Sequence, residues 1–253
     1  MQTSCNEVST ACDPAGVVAQ DGAQPPAHRM PETWPSKSFL GRLTPTSRAD
    51  LLTRCRPVNY PVGEHLLSQG SPDRHAIVLL SGMVKVHLVD AGGFEALLAV
   101  RRHGDMVGEL AALSGEPRTA SVVAVNAVRA GIISETAISD FLATHPNAAR
   151  ELILVQGERL NWANRRRVDF AARSAESKIA HVLADLAADA DEVDGVLRIE
   201  LTQQDVASIV GVALNTAQGA LRSLATAGLV ERHYRAVFVP DLDRLVRFAE
   251  IHQ

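Results

Sequence analysis

The sequence predicts an α+β chain: an N-terminal antiparallel β-roll of the jelly-roll type, one long helix, and a C-terminal winged helix-turn-helix. Three observations predict it. From Arg56 to Ile133, short runs rich in aliphatic and β-branched residues are broken by Gly63, Gly70, Gly82, Gly92, Gly93, Gly104 and Gly108, the mark of closely spaced strands with glycine corners. From Pro146 onward, a mostly apolar stripe recurs at three- and four-residue steps, which is helical periodicity. Beyond residue 200, a helix start, a glycine, a second helix and two short β-runs follow in order, the layout of a helix-turn-helix with a hairpin wing.

Composition sets the class. At 253 residues the chain can bury a sizeable core and divide into two domains. Its net charge is −4 with 21% charged residues, so it is not globally a basic nucleic-acid binder. No apolar run is long enough to span a membrane, and the N-terminus lacks the charged and apolar regions of a secretion signal. A cytoplasmic location is expected. Cys5, Cys12 and Cys55 are too few and too scattered for a disulfide framework.

The elements follow in order. Residues 1–36 are rich in Ser, Thr, Gln, Pro, Ala and Gly without a regular period, and read as a disordered tail. Phe39–Arg54 reads as a helical lead-in. Ala76–Leu80, Met83–Val89, Phe94–Val100 and Ser121–Val125 read as strands of the roll, within a domain spanning 37–144. Glu135–Leu142 reads as a short helix. Pro146, at a favoured first-turn position, opens the long helix of a segment 145–173. Its stripe, Ala149, Leu152, Gln156, Leu160, Ala163, Arg167 and Phe170, reads as a coiled-coil seam and so predicts a homodimer. Residues 174–253 form the last domain. Ser174–Ala188 is amphipathic, Asp189–Asp194 is an acidic stretch ending at Gly195, and Val196–Leu201 is a β-run. Thr202 to Asp205 fits a capping box that starts a helix through Val210. Gly211 allows a turn, the second helix runs from about Ala213 to Ala227, and Gly228 stops it. Leu229–Val230 and Val237–Val239 flank a hairpin, with Val206, Ile209, Val210, Ala217, Leu221, Leu224 and Leu229 as the core.

One stretch carries chemistry. Gly108 to Ala120 reads Gly-Glu-Leu-Ala-Ala-Leu-Ser-Gly-Glu-Pro-Arg-Thr-Ala. It sets a carboxylate, Glu109, nine residues before a guanidinium, Arg118, with the Thr119 hydroxyl beside it. A carboxylate accepts from a ribose hydroxyl, a guanidinium grips two phosphate oxygens, and the hydroxyl and backbone N–H groups around Thr119 and Ala120 complete an anion site. This word resembles the phosphate-binding cassette of cyclic-nucleotide-binding domains. With the long helix and the winged helix behind it, the chain from about residue 39 to 242 resembles the Crp/Fnr family of bacterial transcription regulators.

That resemblance implies an allosteric cyclic nucleotide, cyclic AMP, and no metal. Glu109 would hold the ribose 2′-hydroxyl, Arg118 and Thr119 the cyclic phosphate, and Gly108 and Leu110 would shape the turn. It also implies a homodimer, a double-stranded DNA operator and RNA polymerase as partners; no membrane is expected from the apolar pattern, and no enzymatic activity, since no nucleophile elbow, metal-ligand spacing or P-loop appears. The base end departs from the pattern: the adenine-reading pair falls on Ala163 and Asn164, of which only Asn164 has a side chain that hydrogen-bonds. Arg165, Arg166 and Arg167 follow, so cyclic GMP or a larger anion such as cyclic di-GMP is the alternative ligand. An iron–sulfur cluster of the Fnr type needs four cysteines and is one thiolate short. A haem sensor would rest on His75, His87 or His103, and lone histidines on strands are usually structural.

The DNA-reading helix departs too. Where the family often carries Arg-Glu and a later Arg, this chain has Leu214, Asn215 and Gly219. Asn215, Thr216, Gln218 and Arg222 remain, with Leu214 able to touch a thymine methyl and Asn or Gln able to read adenine. Thr202 and Gln204 are candidate phosphate contacts, and Arg232 a wing contact. From residue 174 onward seven cationic side chains face twelve carboxylates, a net of −5. Phosphate neutralisation supplies most non-specific affinity, so weak non-specific binding is expected. The competing reading is a nucleotide sensor whose winged helix holds a protein partner instead of DNA.

Overall fold

The computed structural model describes residues 33–93, 95–188 and 190–251. Residues 1–32 of the expected tail, with Cys5 and Cys12, lie outside them, as does Phe94. Two short helices lead in, α1 (Phe39–Arg42) and α2 (Pro45–Thr53). Thr44 caps α2, its side chain accepting from the Ser47 N–H, and Pro45 occupies the first turn. The roll then runs β1 (Arg56–Tyr60), β2 (His65–Leu67), β3 (His75–Ser81), β4 (Met83–Val89), β5 (Glu95–Arg102), β6 (Met106–Val107), α3 (Glu109–Ser114), β7 (Ser121–Ala124) and β8 (Val128–Ser134). It has two antiparallel four-stranded sheets, in the orders β1-β8-β3-β6 and β2-β7-β4-β5.

β3 explains the layering. A strand turns successive side chains to opposite faces. Ile77 and Leu79 pack between the sheets with Val84, Val107, Val122 and Val128. Ala76, Val78 and Leu80 pack outward with Met106 and Ile133 against Phe39, Leu40, Leu51, Ile138, Phe141 and Leu152. A strand buried on both faces reads as an unbroken apolar run, which is why it stands out in the sequence. β1 and β8 do not stand out: Arg56, Asn59 and Arg129 interrupt them. Gly131 in β8 has a steric reason, since a Cβ there would lie 2.7 Å from Cβ of Cys55.

The chain continues through α4 (Glu135–Thr144), the long α5 (Pro146–Ala172), α6 (Ala175–Ala187), the hairpin β9 (Asp191–Val193) and β10 (Val196–Ile199), α7 (Gln203–Val210), α8 (Leu214–Thr226), the wing β11 (Glu231–His233) and β12 (Ala236–Val239), and α9 (Leu242–Ile251). The third sheet has the order β11-β12-β10-β9. The acidic stretch is therefore partly strand. Its turn is Asp194-Gly195, both at positive φ, a hairpin dipeptide whose geometry outweighs the acidic composition. α9, an element beyond those expected from the sequence, buries Leu245 and Ala249 in the core shared by α6, α7 and α8.

On α5 the expected seam is corrected. Leu152 is buried against the roll and Gln156 bonds into it, while the Phe170 side chain lies outside the described residues. Leu160, Ala163 and Arg167 of the expected stripe are exposed, and the exposed apolar line runs through Ile153, Leu160 and Val168, at 70%, 61% and 67% exposure, with Gly157 and Asn164 between them. α5 has an apolar side toward the roll and another toward solvent, and periodicity alone does not tell them apart. No helix among the described residues is long and apolar enough to cross a membrane.

Candidate functional site

The cassette sits at one end of the roll, where β6 runs into α3. Gly108 takes φ +77°, and a Cβ there would lie 2.6 Å from Arg118 Nη1 and 2.7 Å from Leu67 Cδ1. Only glycine turns here and leaves room for the guanidinium. Glu109, the next residue, is 3% exposed, and Arg118 is 4% exposed. Arg118 is anchored by its backbone, donating N–H to Ser71 O and accepting from Gly70 N–H. Its Nη1 donates to Gly108 O at 2.7 Å and its Nη2 to His75 O at 2.5 Å. Desolvation lowers its pKa, and the nearby carboxylates of Asp73 and Glu109 offset part of that.

Two buried polar atoms of this pair have no hydrogen-bond partner among the described residues: Glu109 Oε2 and Arg118 Nε. Buried polar atoms are paired in the great majority of cases, so an unpartnered acceptor and an unpartnered donor on these two side chains suit a ligand that brings the complementary groups. A ribose hydroxyl and a phosphate oxygen are such groups. Leu110 is exposed, as is Thr119, and Ala120 is half-buried. Among the described residues, no group of three His, Cys, Asp or Glu side chains is placed to hold a metal ion.

Sequence reasoning missed the partner that holds Glu109. Arg159 Nη1 and Gln156 Nε2, both from α5, donate to Glu109 Oε1 at 2.8 and 2.7 Å. Arg159 also donates from Nη2 to Met106 O at 2.9 Å. The only sequence signal was the spacing of Gln156 and Arg159, three apart and hence on one helical face. Asn164 is exposed on the apolar line of α5, away from this contact.

The candidate nucleic-acid residues lie on α7, α8 and the wing. Leu214, Asn215, Thr216 and Arg222 are exposed on α8 and Gln218 is half-buried, while Ala217, Leu221 and Leu224 face the core. Arg232 on the wing and Gln204 on α7 are exposed. Thr202 also serves the fold. It completes a capping box with Asp205, whose Oδ2 accepts from the Thr202 N–H and hydroxyl at 2.9 and 2.7 Å. α7 also packs on the roll. Lys85 Nζ pairs with Asp205 Oδ1 at 2.8 Å, and the Leu97 N–H donates to Ser208 Oγ at 2.8 Å. Asn126 donates to Glu200 at 2.7 Å.

Comparison with known proteins agrees with both halves. Residues 57–145 match the family "Cyclic nucleotide-binding domain", and residues 177–248 match "Crp-like helix-turn-helix domain". A "CRP-like cAMP-activated global transcriptional regulator" of Mycobacterium tuberculosis is 30% identical over 81% of this chain and 93% of its own length. A "cAMP-activated global transcriptional regulator CRP" of Escherichia coli is 27% identical over 74% of this chain and 91% of its own. A solved CRP/FNR-family transcriptional regulator of Thermus thermophilus superposes with a TM-score of 0.65 at 26% identity, covering 78% of this chain and 100% of that one.

Proposed function

The chain belongs to the Crp/Fnr family of transcription regulators, which are not enzymes, and from that premise we propose that it is a homodimeric DNA-binding regulator controlled by cyclic AMP held in the β-roll. The observation that carries the reading is the pair of buried unpartnered atoms, Glu109 Oε2 and Arg118 Nε. The ribose 2′-hydroxyl donates to the carboxylate, and the cyclic phosphate accepts from the guanidinium and from the Thr119–Ala120 segment.

Ligand binding is felt by the long helix because Glu109 is held by Gln156 and Arg159. A sugar hydroxyl at Glu109 changes the surroundings of both, and so biases the pose of α5 and of the winged helix beyond it. The ligand acts by binding the DNA-competent arrangement better than the other. Two copies meet along Ile153, Leu160 and Val168, with Asn164 at the same face and within reach of a purine edge. The reading surface is Leu214, Asn215, Thr216, Gln218 and Arg222, with Gln204, Thr202 and Arg232 toward the phosphates. RNA polymerase is the further partner that family membership supports.

Calorimetry with cyclic AMP, cyclic GMP and cyclic di-GMP, followed by DNA retention at low salt with and without the bound nucleotide, tests the reading. Cyclic AMP is expected to bind, to be lost in Arg118→Ala, and to shift DNA retention. Binding of cyclic di-GMP alone would replace the ligand. Absence of DNA binding at every sequence would favour a protein partner for the acidic winged domain.

A further inference from the structure

We propose that the cavity lined by the N-terminal segment, the turn between β5 and β6, one flank of α5 and the end of α6 is a second ligand site, which takes a multiply charged phosphate-bearing anion of nucleotide size. None of the cassette residues from Gly108 to Ala120 lines it. Its volume is about 450 Å³, within the range of small-molecule sites.

Charge argues for an anion. Six cationic side chains line the cavity, Lys37, Arg42, Arg101, Arg102, Arg159 and Arg165, against three carboxylates. Those carboxylates are already engaged. Glu158 accepts from Arg42 at 2.6 Å, Asp185 from the Trp162 indole at 2.7 Å, and Asp105 from the Arg102 N–H at 3.1 Å while lying 3.7 Å from Arg159. Arg101 is different. Its guanidinium donates to the carbonyl of its own neighbour, Val100, at 3.0 Å, and it has no ion pair among the described residues.

Desolvation, with Arg159 adding to it, draws the Arg101 pKa down to about 10, so it stays cationic at neutral pH. Confining like charges in a poorly solvated place is costly. A phosphate group relieves that cost and suits the planar donor geometry of arginine. Trp162, Val155 and Leu186 supply an apolar wall against which a base or sugar can rest. Glu158, Asn161 and Arg165 of α5 line the cavity, whereas Ile153, Leu160 and Val168 do not. Arg159 belongs to both places, lining the cavity and holding Glu109.

The test is calorimetry on the full chain at low ionic strength with inorganic pyrophosphate and with ATP as probes. At least one is expected to bind the wild type. ATP binding tenfold or more tighter than pyrophosphate would identify a nucleotide ligand, and similar affinities would identify a site for the phosphates alone. Arg101→Gln and Arg165→Gln are each expected to weaken binding about tenfold or more, as loss of one charge-assisted contact does. The exposed Arg165 keeps the test open should Arg101→Gln unfold. Arg118→Ala, which disables the cassette, is expected to leave probe binding intact. Binding of neither probe, unchanged affinity in the folded glutamine variants, or loss in Arg118→Ala would overturn the proposal. The last result would place the probe at the cassette, leaving the cyclic-nucleotide reading standing.

Discussion

Glu109 and Arg118 show what a single residue can reveal. Their spacing was legible because the word from Gly108 to Ala120 is long and ordered and resembles a phosphate-binding cassette, and the structure buries both side chains. The glycine before them belongs to the same word, and the structure gives its reason: its left-handed φ and the 2.6 Å approach of Arg118 Nη1 to a would-be Cβ leave no alternative. Gly108→Ala should therefore cost about 1–3 kcal/mol, read by urea unfolding, and weaken cyclic-nucleotide binding by displacing the guanidinium. Arg159 was not legible. It lies 50 residues from Glu109 in the chain, and nothing but the packing of α5 brings the two together. Arg159→Gln removes the ion pair of a 3%-exposed carboxylate; breaking a buried pair costs up to about 3–5 kcal/mol, and Gln156, Arg118 and Arg101 nearby offset part of that. A clear fall in thermal midpoint, with a change in cyclic-nucleotide affinity, is the expected outcome. An unchanged midpoint would mean the pair contributes no net stability.

Elements were legible where one periodicity dominated. α7 and α8 followed from a capping box, Gly211 and an amphipathic run, and they span Gln203–Val210 and Leu214–Thr226. The long helix was equally plain, but its faces were not, because an apolar stripe does not say what covers it. The proposed dimer uses the exposed residues, and Leu160→Glu puts a charge on that line. Sedimentation should show a shift from dimer to monomer, with little loss of protomer stability at a position 61% exposed. On α8, Gly219 has room for a side chain: a Cβ would meet nothing nearer than Arg222 Nη2 at 3.9 Å. Gly219→Arg should strengthen binding to a guanine-containing site by about 1–3 kcal/mol if α8 lies in the major groove, measured by titration against matched duplexes. No gain would argue against that docking.

At the scale of the whole molecule, the roll and the winged domain share a polar joint. Burial alone would raise the pKa of Asp205, but hydrogen bonds from Lys85 and Thr202 outweigh it and hold the carboxyl below its usual value. The folded chain therefore binds that proton less readily than the unfolded chain. The stabilisation is complete above about pH 4, the ordinary aspartate value, and is lost as pH falls through the lower folded value. Asp205→Asn should flatten the acid limb of the stability curve, followed by chemical denaturation between neutral pH and pH 3. The Thr202–Asp205 half of this joint was legible as a capping box; the Lys85 half was not, because Lys85 and Asp205 lie 120 residues apart and nothing local links them until the two parts of the chain meet.

β5 is the last strand of its sheet, and last strands offer unused peptide groups to any chain that passes. Here Ser208 takes the Leu97 N–H and Arg166 donates to Leu98 O. The regulator's own reading head thus acts as a shield. A chain ending before residue 174 would uncover that margin in part, and such a fragment should clump with its neighbours, strand against strand, when the intact protein stays dispersed.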